Sequence, residues 1–80
     1  MSKKLVIGAA GQLGIELVLA LQSQHGVDSI HIADIRVPEN EQLLKSTFLH
    51  LDATDEGAMH KVLEEGQYEE VYHLAAMLSA

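Results

Sequence analysis

An α/β fold built on an open, doubly wound parallel sheet is the class that three features of these 80 residues predict. Short apolar runs alternate with two segments of helical periodicity, glycines stand where the first strand meets the first helix, and a glycine follows each helical segment. The order of elements reads β-α-β-β-α-β, with no internal repeat, low-complexity segment or domain boundary. Right-handed crossovers then place the strands in the order 3-2-1-4, with the topological switch between the first and the fourth.

The first strand is Leu5-Val6-Ile7, an apolar run suited to burial on both faces. It leads into Gly8-Ala9-Ala10-Gly11-Gln12-Leu13-Gly14, with glycines spaced G-x-x-G-x-x-G. Backbone N–H groups at a helix N-terminus can hold a diphosphate only where no Cβ intervenes. Gly8 makes the tight turn, Gly11 admits the phosphates, and Gly14 lets helix and sheet approach closely. The same glycines also fit a purely structural strand-to-helix turn. From Gln12 to His25 the pattern is helical, with Leu13, Leu17, Ala20 and Leu21 as the core face and Ile15 and Leu19 turned away from it. Gly26 is placed to end this helix in a left-handed conformation.

The second strand, Ile30 to Ile35, carries Asp34 near its end, 20 residues after Gly14. That is where a dinucleotide-binding unit has the acid that meets the adenosine ribose. A carboxylate there accepts from both ribose hydroxyls of NAD, whereas the 2′-phosphate of NADP brings like charges together. At ~4 Å and an effective dielectric of ~20 the repulsion is of order 4 kcal/mol, so NAD is the expected cofactor. The alternative is an Asp that simply ends a strand. Arg36 can stack on adenine or meet a 2′-phosphate, and beside an acid the first role fits better. Val37 to Ser46, with the only proline, Pro38, and the polar run Glu39 to Gln42, reads as an exposed connection with a helical turn at Gln42 to Lys45.

Thr47 to Leu51 forms the third strand and ends at Asp52. Thr54, Asp55 and Glu56 open the second helix, Thr54 as its cap and the acids at the positive end of its dipole. Ala58, Met59, Val62 and Leu63 make its apolar stripe, and Gly66 stops it. Glu70 to Ala75 is the fourth strand. Small residues at the carboxyl ends of the switch strands, Gly8 to Ala10 and Ala75-Ala76, leave a crevice wide enough for a cofactor.

Twelve acidic against five basic residues give a net charge of −7, and the bases Lys3, Lys4, Arg36, Lys45 and Lys61 are scattered. Nucleic acid is therefore not an expected partner. With no cysteine there is neither a disulfide nor a thiolate metal site. His25, His31, His50, His60 and His73 form no H-x-x-x-H pair, and no metal site is expected. The apolar runs fall short of the ~20 residues that span a bilayer. No leader pattern precedes the first strand, and a cytoplasmic location with no membrane partner is the expectation. A chain of this size buries only ~60–65% of its unfolded surface. It is expected to be an incomplete domain, marginally folded or associating in isolation.

The glycine turn, Ala33-Asp34-Ile35-Arg36, Leu51-Asp52-Ala53-Thr54-Asp55 and Tyr72-His73-Leu74-Ala75-Ala76 together resemble the extended short-chain dehydrogenases/reductases of the epimerase/dehydratase group. Within that group, G-Q-L-G, D-I-R and Y-H-L-A-A-M-L-S-A resemble the short-chain type of L-threonine 3-dehydrogenase. The likeness covers nearly the whole chain. It implies that residues 1–80 are the N-terminal part of a single NAD-binding Rossmann domain, from an oxidoreductase that takes the L-threonine β-hydroxyl to 2-amino-3-oxobutanoate and works as a homodimer. A nucleotide-sugar epimerase or dehydratase, or a non-catalytic dinucleotide sensor, are the alternatives.

By the same resemblance Gly8, Gly11, Gln12, Leu13 and Gly14 cradle the diphosphate, and Asp34, Ile35 and Arg36 hold the adenosine ribose and the adenine edge. Asp52 accepts from the adenine amino group with Ala53 beside it; read from its neighbours alone, Asp52 equally well organises the turn at Thr54. Leu74, Ala75 and Ala76 line the passage toward the nicotinamide, and Ser79 sits nearest the substrate. The group's general acid/base Tyr and its Lys occur as Y-x-x-x-K. Here Glu41 stands four before Lys45, Gly57 four before Lys61, and Tyr68 and Tyr72 are followed at that spacing by Tyr72 and Ala76. No catalytic residue is therefore expected within these residues, and the chain alone is expected to be inactive.

Overall fold

The computed structural model describes residues 2–74. Lys4–Ile7 (β1), Ile30–Asp34 (β2), Thr47–His50 (β3) and Glu70–His73 (β4) form one parallel sheet in the order β3-β2-β1-β4. Gln12–His25 (α1) follows β1 and Glu56–Gly66 (α2) follows β3, which completes a partial Rossmann-like α/β fold with the predicted strand order. Short 3₁₀ turns, Val27–Ser29 and Leu43–Lys45, precede β2 and β3. In register, Ile7 lies opposite both Ala33 and His73, and Asp34 opposite His50. All strands therefore end at one edge, from which the glycine turn, Ile35 and Leu51-Asp52 emerge.

β1 is central and covered on both faces, with Leu5 and Val6 fully buried and Ile7 nearly so, which is why its sequence does not alternate. On one face Val6, Ile30 and Ile32 pack with Val18 and Leu21 of α1 and with Leu43. On the other, Leu5, Ile7, Ala33 and Leu51 receive Ala58, Met59 and Val62 of α2. Leu63, assigned to the same stripe, is largely exposed. Beneath the edge strand, the nearly buried Lys4 ammonium lies 2.9 Å from Glu69 and 3.4 Å from Glu70. These carboxylates hold its pKa above the usual lysine value, Glu69 first, against the opposing effect of desolvation.

The buried face of α1 departs from the one its periodicity predicts. Gly14, Val18, Leu21 and Gln22 are buried, whereas Leu13 is 48% exposed and Ala20 faces outward; Leu19 is exposed as expected. Ile15, expected to turn away, packs with Leu17 at the margin of the core. Apolar residues occupy so many positions of α1 that the stripe has no sharp phase, and Gly14 sets it. A Cβ on Gly14 would press on the Gly8 carbonyl and stand 2.7 Å from Ala9 Cα. The helix crosses the turn at that point, and Val18 and Gln22, one and two turns on, follow it inward.

Val37 to Ser46 is anchored rather than loosely exposed. Leu43 is fully buried, and Pro38 and Ser46 are buried on either side of it in the chain. Gln22 Nε2 donates to Ser46 Oγ at 2.8 Å and to the Gln42 carbonyl at 3.1 Å, and Ser46 Oγ donates to the Val27 carbonyl at 2.8 Å. This network pins the segment to α1 and to the turn before β2, while Glu39 and Glu41 stay exposed as the polar run predicts.

Several further boundaries differ from expectation. Asp55, not Thr54, caps α2, its side chain accepting from Ala58 N at 3.0 Å. α2 closes on Gln67 in the left-handed region at φ 49°, and Gly66 stays helical with the Tyr68 ring where its Cβ would be. Gly26 does end α1 with a positive φ of 88°, but its ψ of 151° is extended rather than left-handed helical. β2 and β3 each stop one residue short of the predicted end, at Asp34 and His50. β4 stops at His73, and Ala75 lies outside the described residues.

Candidate functional site

The turn between β1 and α1 is tied down through its backbone N–H groups, mostly to the end of β2. Gly8 N and Ala9 N both donate to the Ala33 carbonyl, at 2.8 and 3.3 Å, and Gly11 N donates to the Gly8 carbonyl at 3.4 Å. The helical ladder opens with Ile15 N donating to the Gly11 carbonyl at 2.9 Å. The N–H groups of Gln12, Leu13 and Gly14 therefore precede the ladder, at the positive end of the helix dipole.

The three glycines are glycine for different reasons. Gly8 has φ 92°, a conformation that side chains rarely adopt. Gly14 has no room for a Cβ. Gly11, at φ −76° and ψ 165°, has a backbone that any residue adopts. A Cβ there would meet only the Gly8 carbonyl oxygen, at an ordinary 3.7 Å. Nothing within the described fold requires glycine at position 11.

Asp34 is 9% exposed, and both of its oxygens are engaged. Oδ2 accepts from Ala10 N at 2.9 Å and Oδ1 from Arg36 N at 3.0 Å. A cavity of about 200 Å³ opens beside it, lined by Gly8, Asp34, Ile35, Asp52, Ala53 and Thr54 among others. A neighbouring cavity of about 280 Å³ lies between Ala10 and Ile15 on one side and the Arg36 to Asn40 segment on the other. Asp52 stands at the rim with Oδ1 accepting from Thr54 N at 2.9 Å and Thr54 Oγ1 at 2.6 Å. These two bonds, the hydroxyl's first, hold its carboxyl below the usual carboxylate range. The geometry thus realises its turn-organising role.

Five of the residues singled out in the sequence, Gly8, Asp34, Ile35, Asp52 and Ala53, line one cavity, and Arg36 lines the next. Gly11, Gln12, Leu13 and Gly14 form the helix start that faces the same edge of the sheet. Leu74 is nearly buried and packs with Val6, Ala9 and Val18 in the core on the α1 side. Ala75, Ala76 and Ser79 lie outside the described residues. Ala10 lines the second cavity, as its place at the expected crevice suggests, and Ile15, Pro38 and Asn40 were not anticipated as lining residues. Asn40 carried a legible signal: its Oδ1 accepts from Gln42 N at 2.9 Å, the local turn that asparagine favours. Among the described residues no group of three His, Asp or Glu side chains is placed to hold a metal ion. No helix among them is long and apolar enough to cross a membrane.

Toward the amino ends of the strands, His31 Nδ1 and Tyr68 Oη share a hydrogen bond of 2.8 Å, with the rings edge to face. Burial, and secondarily the charge of Lys3, holds His31 below the usual histidine pKa, and burial raises that of Tyr68.

A profile of the NAD dependent epimerase/dehydratase family matches residues 4–80. An uncharacterised epimerase/dehydratase of Staphylococcus saprophyticus is 40% identical over 81 aligned positions, which take in 100% of this chain and 25% of that relative. Among solved structures, the L-threonine dehydrogenase of Clostridium difficile is similar with a TM-score of 0.80 and 30% identity, over 91% of this chain and 23% of that one. A GalE-like L-threonine dehydrogenase from Cupriavidus necator, in its holo form, is similar with a TM-score of 0.78 and 34% identity, over 90% of this chain and 23% of that one. The chain thus spans about a quarter of the length of these relatives.

Proposed function

The chain belongs to the NAD dependent epimerase/dehydratase family, and from that premise we propose that it is the cofactor-holding part of an NAD-dependent oxidoreductase whose substrate is L-threonine. Gly11 carries the reading. The fold leaves that position free of any internal demand for glycine, so its missing side chain is explained by what approaches from outside. Gln12, Leu13 and Gly14 then offer N–H groups to the diphosphate. Asp34 accepts from the adenosine ribose, and Ile35, Asp52 and Ala53 border the adenine, with Arg36 along its edge. Bound NAD supplies the nicotinamide carbon that takes up hydride. These residues hold it and exclude NADP.

Leu74, Ala75 and Ala76 belong, on this reading, to the passage toward the nicotinamide, and Ser79 to the substrate. Residues 1–80, an N-terminal piece of one domain, contain no Y-x-x-x-K pair. Alone they bind cofactor and transfer no hydride; a cytoplasmic homodimer of the length of the relatives is the active form. The threonine assignment draws on the likeness to two L-threonine dehydrogenases. The name of the staphylococcal relative favours the second reading, an epimerase or dehydratase acting on a nucleotide sugar.

Calorimetric titration of the chain tests the cofactor reading. NAD is expected to bind more tightly than NADP, and Gly11→Ala to weaken NAD while changing stability by less than about 1 kcal/mol. Unchanged affinity in Gly11→Ala removes the turn as the phosphate site, and tighter NADP removes the role of Asp34. With the chain extended to the length of its relatives, NADH absorbance should rise with L-threonine and not with a UDP-sugar. No NADH from L-threonine removes the leading substrate, and conversion of the UDP-sugar to an epimer or a dehydrated product with no net NADH supports the second reading.

A further inference from the structure

The carboxylate of Asp34 is committed before any nucleotide arrives. Its Oδ2 holds the N–H of Ala10, 24 residues away in sequence, at 2.9 Å, and its Oδ1 holds that of Arg36 at 3.0 Å. Gly8, Ala9 and Gly11, the other residues of the turn, donate to main-chain carbonyls. Ala10 alone among them is held by a side chain, one that a substitution can remove without altering the main chain. Arg36 begins the segment that walls the 280 Å³ cavity opposite Ala10 and Ile15. One carboxylate therefore ties the diphosphate turn to that wall.

We propose that Asp34 is a positioning residue for the turn: it presets the N–H groups of Gln12, Leu13 and Gly14 for a diphosphate, independently of any contact with a ribose. The inference rests on the nucleotide reading given above. Bonds from N–H groups to a carboxylate are among the stronger kind. Their loss leaves two donors at the edge of the sheet without acceptors and lets the turn depart from its binding shape. A purely electrostatic role predicts the opposite outcome, since removing a negative charge from beside a diphosphate strengthens binding.

ADP and 2′,3′-dideoxy-ADP differ only in the ribose hydroxyls, so titrating the chain with both separates the two roles of Asp34. In Asp34→Ala the affinity for dideoxy-ADP is expected to fall about tenfold or more, the loss that one charge-assisted bond represents. In the free chain, the amide of Ala10 should exchange slowly with solvent in the wild type and rapidly in this variant. Asp34→Asn keeps the side-chain shape with a single acceptor oxygen, and should release one of the Ala10 and Arg36 amides while retaining the fold. Unchanged or tighter dideoxy-ADP binding in Asp34→Ala, beside a loss of ADP, overturns the positioning role and leaves the nucleotide reading standing. Full protection of both amides in Asp34→Asn overturns it too. A wild-type chain that binds neither probe ends the nucleotide reading and this inference with it.

Discussion

At the scale of single residues, two glycines three positions apart divide stability from binding. Gly14→Ala forces a Cβ against Ala9 and the Gly8 carbonyl, both main-chain atoms that cannot rotate away. It should cost about 1–3 kcal/mol, as overpacking does, and a urea midpoint unchanged from wild type would contradict the close crossing of helix and turn. Position 11 should tolerate the same change. His31 makes a second prediction. Its folded pKa lies below the ordinary 6.5 because burial disfavours the charged ring. As pH falls, the unfolded chain takes up the proton first, so this contribution is complete above 6.5 and is lost as pH falls through that value toward the folded pKa. His31→Gln should flatten the fall in melting temperature between about pH 7 and pH 5. An equally steep fall in the variant would assign the acid sensitivity elsewhere.

Among the elements, α1 shows what a sequence conveys and what it withholds. Its limits, Gln12 and His25, were legible from the glycines around it, as were the identity and order of all four strands. Its buried face was not, because a helix apolar on nearly every side leaves its phase to contact. That phase comes from the Gly14 crossing, a distance between segments that no periodicity encodes. The site divides in the same way. Gly8 and Asp34 were legible because spacing from strand ends brings them to one edge, and Asp52 through the family resemblance. The Pro38 to Asn40 wall was not, because a connection held through hydrogen bonds at its flanking residues reads in sequence as a polar run facing water. Gln22 is the centre of that wall's anchorage. Gln22→Ala takes one hydrogen-bond partner each from the Gln42 carbonyl and the Ser46 hydroxyl, which keep Lys45 N and the Val27 carbonyl, and should cost about 1 kcal/mol. It should also speed amide exchange across Leu43 to Ser46, and protection there equal to wild type would remove the network from the account of the loop.

On the scale of the whole molecule, part of the exposed apolar surface gathers at one edge of the sheet. Leu13, Ile35 and Val37 are each about half exposed or more, and all stand around the edge where the strands end. Val71 lies 41% exposed on β4, which among the described residues pairs only with β1. An exposed strand edge with apolar side chains is a template for pairing with another chain. The 80-residue chain is therefore expected to associate as its concentration rises. Sedimentation velocity checks this, and a single monomeric species across the accessible range would refute it.

The pairing of Lys4 with Glu69 and Glu70 has a consequence in time as well as in space. Lys4 lies opposite Glu70, so the central strand of the sheet receives its second neighbour only when almost the whole described chain exists. At synthesis rates of about 5–20 residues per second, β1 waits seconds on the ribosome with one hydrogen-bonding side open and a lysine that has yet to meet its acids. During that interval β1 and α1 depend on whatever shields apolar side chains and an unpaired strand edge in the nascent chain. The last strand to appear then locks the first one in place.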